Sequence, residues 1–480
     1  MEGFSIPEHP SIHLLNSRPW IYSLGAPGLS AVSEEELDAV TSSCDVVWLQ
    51  GCWEIGTYGR EHDLADPGRR QHFENCLVGE FAEADCIGSP YAISQYCLNS
   101  SLGSDEDLAA FRRRLAERGC GLMLDFVPNH MARDSPWVQL PGLFIEGSGG
   151  PRFGRDPYSG DWTDTAQLNY WSEACRKHMA QELVRVAEKC DAVRVDMAML
   201  CCNPVIERTW GEQLRQQGFS QPSEEFWPAA LASVRERFPR FLALAECYEY
   251  DQIYPSGTGL ELVRQGFHAV YDKTLYDRLT SGHMDNLRGH ILGDRVLPCG
   301  HLCHFTENHD EDRATAHFGG RALAAAVASL TLPGPRMFMW GQQEGRRERL
   351  AVQLRRCKRE SVDLDMQRNF QRLLQALPVC RGTWKPLSAN GESGWRLLAW
   401  AWHCPERWAV VAVNYTDAEA WAHIDLDGLL GHRLGDGSEC VALEDLLSGE
   451  VYDRQSGKLS GEEGLVVGLK PFQSHLLVCR

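Results

Sequence analysis

Short apolar runs recur through the first 378 residues, each closed by a loop carrying Gly, Pro or polar side chains, with amphipathic stretches between them. The runs Trp20–Leu24, Val46–Gln50, Leu122–Val127, Ala192–Val195, Leu242–Ala245, His268–Tyr271, Leu302–Thr306 and Arg336–Met339 read as strands buried on both faces, as in a parallel sheet. The clearest helix is Asp105–Arg118. Ser104 and Asp107 make a capping box, Leu108, Phe111 and Leu115 form the inner stripe, and Gly119 closes it. Eight strand–helix units in one chain predict a (β/α)8 barrel over residues 1–378.

The period changes near Val379. Trp395–Trp402, Arg407–Asn414, Glu419–Ile424, Cys440–Leu443, Gly464–Leu469 and Ser474–Val478 are strand candidates joined by Gly, Asp and Asn turns with little helix between. They predict an antiparallel β-sandwich over 379–480. Residues 128–170, rich in Gly, Pro and Trp, are too long for a plain loop and read as an excursion domain above the third strand. Within it Leu140–Ile145 is apolar, and serves either as a lid or as packing.

The charge narrows the partners. Lys plus Arg is 47 and Asp plus Glu is 66, for a net charge of −19, which repels phosphate backbones and anionic lipid. Nucleic acid and membrane surfaces are therefore excluded as expected partners, and a neutral substrate fits. No run is apolar enough to span a bilayer, and the start carries no secretory h-region. The 18 cysteines, scattered and without a Cys-x-x-Cys pair, are read as reduced thiols in a cytoplasmic protein. Cys299-Gly-His-Leu-Cys303-His304 has ligand types that suit zinc but no second half, so it is read as buried strand residues.

Four strand ends carry polar clusters: Asp125-Phe-Val-Pro-Asn129-His130, Asp191-Ala-Val-Arg194-Val-Asp196, Leu244-Ala-Glu246-Cys-Tyr248 and Phe305-Thr-Glu307-Asn308-His309-Asp310. In a barrel such ends share one rim, where chemistry sits. Arg194 shares a strand face with Asp196 and would hold it ionised. Glu246 follows the apolar run Phe241–Ala245, where desolvation would favour its protonated form. Two carboxyls driven apart in this way are what glycosidic cleavage requires.

These blocks together resemble the α-amylase family of retaining glycoside hydrolases and transglycosidases, over essentially the whole chain. The resemblance implies that Asp196 is the nucleophile, Glu246 the general acid/base, and Asp310 the residue that binds sugar hydroxyls and stabilises the transition state. It implies that His130 and His309 contact the sugar, with Arg194 beside them. Ser89-Pro90-Tyr91-Ala92-Ile93 is similar to the family's second-strand segment and implies that Tyr91 is the aromatic platform. The chain departs from the family where calcium is usually served: Met199 and Leu200 stand for Lys and His, and Gln167 for an Asp. No cofactor is expected, and calcium least of all, since it needs six to eight oxygens. Ala92 and Gln95 replace acidic residues beside the platform.

The expectation is an enzyme that cleaves α-glucosidic bonds of oligo- or disaccharides by double displacement. Two alternatives stand beside it: an α-transglycosidase, sugar isomerase or phosphorylase sharing the covalent intermediate, or a non-catalytic amylase-like module. The sugar, the linkage and the oligomeric state are not written in these motifs.

Overall fold

A computed structural model describes residues 6–293, 299–404, 407–426, 440–459 and 463–479. The fold is a (β/α)8 barrel with a C-terminal antiparallel β domain, as the periodicity predicts. The chain divides into two compact units, residues 1–271 with 348–359, and residues 272–347 with 360–480. That division falls inside the expected barrel. A barrel boundary at 378 is retained as our proposal, since the antiparallel strands begin at Thr383.

The first unit contributes six parallel strands: β1 (Ser11–Asn16), β2 (Val46–Gln50), β3 (Gly121–Phe126), β4 (Ala192–Val195), β5 (Leu242–Ala245) and β6 (Ala269–Tyr271). Their order across the sheet is β6-β5-β4-β3-β2-β1. β1 to β5 are buried along their whole length, which is why β2 to β5 read as largely apolar runs.

The first strand corrects the sequence expectation. Trp20–Leu24 is no strand: Ser17–Ser23 is a helix with Pro19 in its first turn, and Ser11–Asn16 is β1. His13 and Asn16 interrupt the apolar run of β1, and both are buried with partners. His13 Nδ1 lies 3.0 Å from the Val40 carbonyl, and Asn16 Nδ2 donates to Gln50 Oε1 at 3.1 Å. The helix Asp105–Ala116 forms with its capping box: Ser104 Oγ accepts from Asp107 N at 3.3 Å while Asp107 Oδ2 accepts from Ser104 N at 2.8 Å.

In the excursion, His130–Ala132 pairs antiparallel with Thr165–Gln167, joining the two stems where they leave and re-enter the barrel. Leu143, Phe144 and Ile145 are buried, and Ile145 N donates to the Gln167 carbonyl at 3.0 Å. Leu143–Ile145 thus pack within the excursion, whereas Leu140 and Pro141 at the start of the run are exposed.

The second unit holds β7 (Leu302–Cys303) and β8 (Arg336–Met339), linked in parallel through a His304–Arg336 bridge. Its C-terminal part has a six-stranded antiparallel sheet, ordered Thr383–Pro386, Leu397–Cys404, Arg407–Asn414, Ser474–Cys479, Cys440–Asp445 and Val451–Gln455. A three-stranded sheet of Ala389–Asn390, Ala420–Ile424 and Leu465–Leu469 accompanies it. Leu397, Val410, Ala412, Ile424, Leu465 and Leu477 share one core. Among the described residues no helix is long and apolar enough to cross a membrane, and no disulfide forms.

Candidate active site

Strand register builds the site. Arg194 on β4 pairs with Asp125 on β3 and Leu244 on β5, and one step on, Val195 pairs with Phe126 and Ala245. Asp196 and Glu246 each follow the last residue of adjacent parallel strands, so they leave the sheet at the same end. The ladder continues through them: Asp196 N donates to the Phe126 carbonyl at 2.8 Å, and Glu246 N to the Val195 carbonyl at 2.9 Å.

One guanidinium organises both acids. Arg194 is fully buried; its Nη1 lies 2.7 Å from Asp196 Oδ1 and its Nη2 2.7 Å from Glu246 Oε2. Its Nε donates to the Tyr271 hydroxyl at 3.2 Å. The rings of Trp48, Tyr91 and Tyr271 stand 5.3 to 5.7 Å from its central carbon. Burial alone would weaken its charge, but Glu246, Tyr271, Tyr91 and Asp196 outweigh that and hold it firmly protonated. Sequence spacing pairs Arg194 with Asp196 alone; its fork spans both carboxylates.

Glu246 is fixed from three directions. Besides Arg194, its Oε2 accepts the Met197 backbone N–H at 2.8 Å, and the Tyr248 hydroxyl donates to Oε1 at 3.3 Å. Met197, directly after Asp196, has φ 40 and ψ 48, a left-handed conformation that a residue with a Cβ adopts at a cost. That turn aims its N–H at Glu246.

Asp125 supports the site from below. Its Oδ2 accepts from Gly51 N at 2.7 Å, its Oδ1 from Trp48 Nε1 at 3.2 Å, and its backbone carbonyl from Trp53 Nε1 at 2.7 Å. Burial pushes its carboxyl up to about 7, Arg194 at 3.9 Å opposing only in part. Tyr91 accepts from Gln50 Nε2 at 3.1 Å. His130 is buried beside Trp162, ring centroids 5.3 Å apart, and burial holds its pKa below the usual histidine range. Trp48 and Trp53 are fully buried supports of Asp125.

The second unit carries the remaining block. Asn308 Oδ1 accepts from Asp310 N and Glu311 N at 2.9 and 3.0 Å, and His309 Nε2 lies 3.1 Å from Asp310 Oδ2. His309 is buried, whereas the Asp310 side chain is 42 % exposed. Glu307, fully buried, braces this turn by accepting from Ala314 N at 2.6 Å and pairing with Arg313 at 3.0 Å. His304, read as a buried strand residue, has its ring between Asp272 and the Pro333 carbonyl, 3.0 and 2.9 Å away.

The residues present do not fit calcium. Gln167 Nε2 donates to the Asn129 carbonyl and Oδ1 at 2.9 and 3.0 Å, so the two amides bond to each other. Met199 and Leu200 are buried alkyl and thioether groups, which cannot ligate a hard cation. Among the described residues no group of three or more His, Cys, Asp or Glu could hold a metal ion.

Tyr271 and Met197 were not found from the sequence. One acts from a strand end and the other through a backbone N–H, and neither leaves a motif.

The barrel therefore carries carboxylates at adjacent strand ends, bridged by one buried arginine. The comparisons bear on its fold. An α-amylase from Lactobacillus plantarum superposes with a TM-score of 0.70 at 19 % identity, covering 98 % of this chain and 99 % of that one. A maltogenic α-amylase from Thermotoga neapolitana gives 0.68 at 16 %, covering 98 % of both. A debranching enzyme from Nostoc punctiforme gives 0.63 at 14 %, covering 99 % and 100 %. In sequence the chain is 27 % identical over 271 residues to the α-amylase MalA of Haloarcula japonica, over 52 % of this chain and 36 % of that protein. The aligned part thus spans about a third of that relative's length. No family model matches the chain. The fold is thus that of solved α-amylases, and over the aligned segment the sequence is similar to an α-amylase.

Proposed function

We propose that the chain cleaves α-glucosidic bonds of oligo- or disaccharides with retention of configuration. The observation that carries this reading is Asp196 and Glu246 at the ends of adjacent parallel strands, bridged by fully buried Arg194. Asp196 attacks the anomeric carbon while Glu246 gives its proton to the departing glycosidic oxygen, leaving a glycosyl ester on Asp196 and a carboxylate at 246. Water then gives a proton to Glu246 and its oxygen to the anomeric carbon, releasing Asp196 and restoring both acids. Asp310 is assigned to the sugar hydroxyls on the strength of its sequence block, with His309 beside it, and Tyr91 and His130 to the sugar ring. The scattered cysteines favour a cytoplasmic setting, and the substrate is a neutral carbohydrate.

The test is Asp196→Asn on a maltooligosaccharide panel, with product anomers read by NMR. Nearly all turnover should be lost with the circular dichroism spectrum unchanged, and the wild type should release the α-anomer first. A folded Asn variant at wild-type rate, or a β-anomer as first product, overturns the reading. Adding a sugar acceptor to the wild type separates hydrolysis from glycosyl transfer.

A further inference from the structure

A cavity of about 340 Å³ lies between the excursion and the helix Asn203–Gln216. Arg133, Arg152, Arg155, Phe153, Trp210 and Gln213 line it together with the 147–150 turn. Gly154 separates it from the site described above. A Cβ at 154 would meet His130 Cβ at 3.1 Å and Thr165 Oγ1 at 2.6 Å, so this position backs onto the His130 wall. Residue 154 bridges to Trp162 in extended chain, where neighbouring side chains point to opposite faces. Phe153 and Arg155 therefore face away from His130, toward the cavity.

The arginines are presented rather than spent. Arg133 stacks on Phe153 at 4.5 Å and donates from Nη1 to the Pro151 carbonyl. Arg155 stacks on Trp210 at 4.4 Å and donates from Nη2 to the Thr209 carbonyl at 3.2 Å. Stacking fixes each planar fork with N–H groups to spare, and the Nε of Arg155 is buried without a partner. Among the described residues no carboxylate lies within ion-pair distance of Arg133 or Arg152, and Arg155 has only Asp161, at 3.8 Å with both side chains partly exposed. Three cations against one anion, in a chain of net charge −19, is a strong local reversal. The turn is shaped for it: a Cβ at Gly147 would clash with the Gly150 carbonyl at 2.9 Å and crowd Arg152 at 3.2 Å. A guanidinium covers one face of each ring, so that face is not open to a neutral sugar.

We propose that this cavity binds a phosphoryl group, a dianion whose three peripheral oxygens match three guanidinium donors. The group is carried on a sugar or is free phosphate. The proposal does not depend on the hydrolytic reading, because its readout is binding.

The test is calorimetric titration of the full chain at constant ionic strength with inorganic phosphate, a hexose phosphate and the neutral hexose. Both phosphates should bind saturably and the neutral sugar should leave no signal at this site. Arg152 is exposed, so Arg152→Ala should fold and melt as the wild type while binding weakens about tenfold, the loss of one charge-assisted contact. Arg155→Lys, which keeps the charge but loses the fork, should weaken it as well. Tighter binding of the hexose phosphate assigns a sugar ester, and equal binding assigns free phosphate. Absence of saturable binding by either phosphate overturns the proposal. So does wild-type affinity in both arginine variants, which would place the ligand elsewhere.

Discussion

Asp125→Asn tests whether the support beneath the site is a neutral acid. The Asp125 carboxyl is fully desolvated, and its pKa is pushed from 3.8 to about 7. Below the lower value both folded and unfolded chains hold the proton, and the site contributes no pH dependence. Between the two values the folded chain keeps a proton that the unfolded chain has released, so stability falls as pH rises. Above about 7 the folded state must carry a buried charge. At about 1.4 kcal/mol per unit, the loss across that window is roughly 4 kcal/mol. Asn cannot titrate, so the variant lacks this term while sharing every other. It does lose one acceptor, since Gly51 N and Trp48 Nε1 both donate here, and this lowers its stability at every pH by about 1–3 kcal/mol. The measurement is urea unfolding of both proteins at several pH values from 4 to 8, at matched ionic strength. The stability of the variant relative to the wild type should climb by a few kcal/mol toward high pH. A flat difference would refute the argument, and a decline would mean that Arg194 wins over burial and keeps Asp125 ionised.

Three further outcomes are expected. Arg194→Lys places a point charge where a fork bridges Asp196 and Glu246, so kcat/KM should fall roughly a hundredfold with the fold retained; an unchanged pH–rate profile and rate would contradict the shared-arginine geometry. Glu246→Gln should slow hydrolysis of an oligosaccharide by about a thousandfold but spare an aryl glycoside whose leaving group departs unprotonated; equal losses on both substrates would remove Glu246 as the acid. Chelator treatment should leave the melting temperature and rate unchanged, because Asn129 and Gln167 bond to each other; a drop that calcium restores would show a site, with Asp161 and Asp164 the first candidates.

The barrel was legible where a buried strand carries at most one polar residue in its apolar run: β2, β4, β5 and β8 fall at their expected residues. It was illegible where several polar side chains are buried in one strand, as Ser11, His13 and Asn16 are in β1, since pattern reading takes them for exposed positions. β7 was expected over Leu302–Thr306 and spans only Leu302–Cys303, with His304 continuing as a single bridge. In the C-terminal domain Val451–Gln455 went unnoticed because it alternates between exposed and half-buried and has no apolar face, and Thr383–Pro386 because its proline suggests a turn. Asp196, Glu246 and Arg194 were visible because they stand two residues apart or directly after an apolar run. Tyr271 was not, because it reaches Arg194 from β6, with no chemistry-bearing neighbour in its own strand.

The left-handed turn at Met197 has a consequence for how this protein would respond to selection. Holding a residue with a Cβ at φ 40 costs about 1–2 kcal/mol, which glycine would recover. A screen for thermal tolerance would therefore tend to enrich Met197→Gly. Yet the same backbone points its N–H at Glu246 Oε2, and a freer backbone would let that donor wander. Heat resistance and turnover pull in opposite directions at this one peptide, so variants selected for the first should accumulate there at the expense of the second.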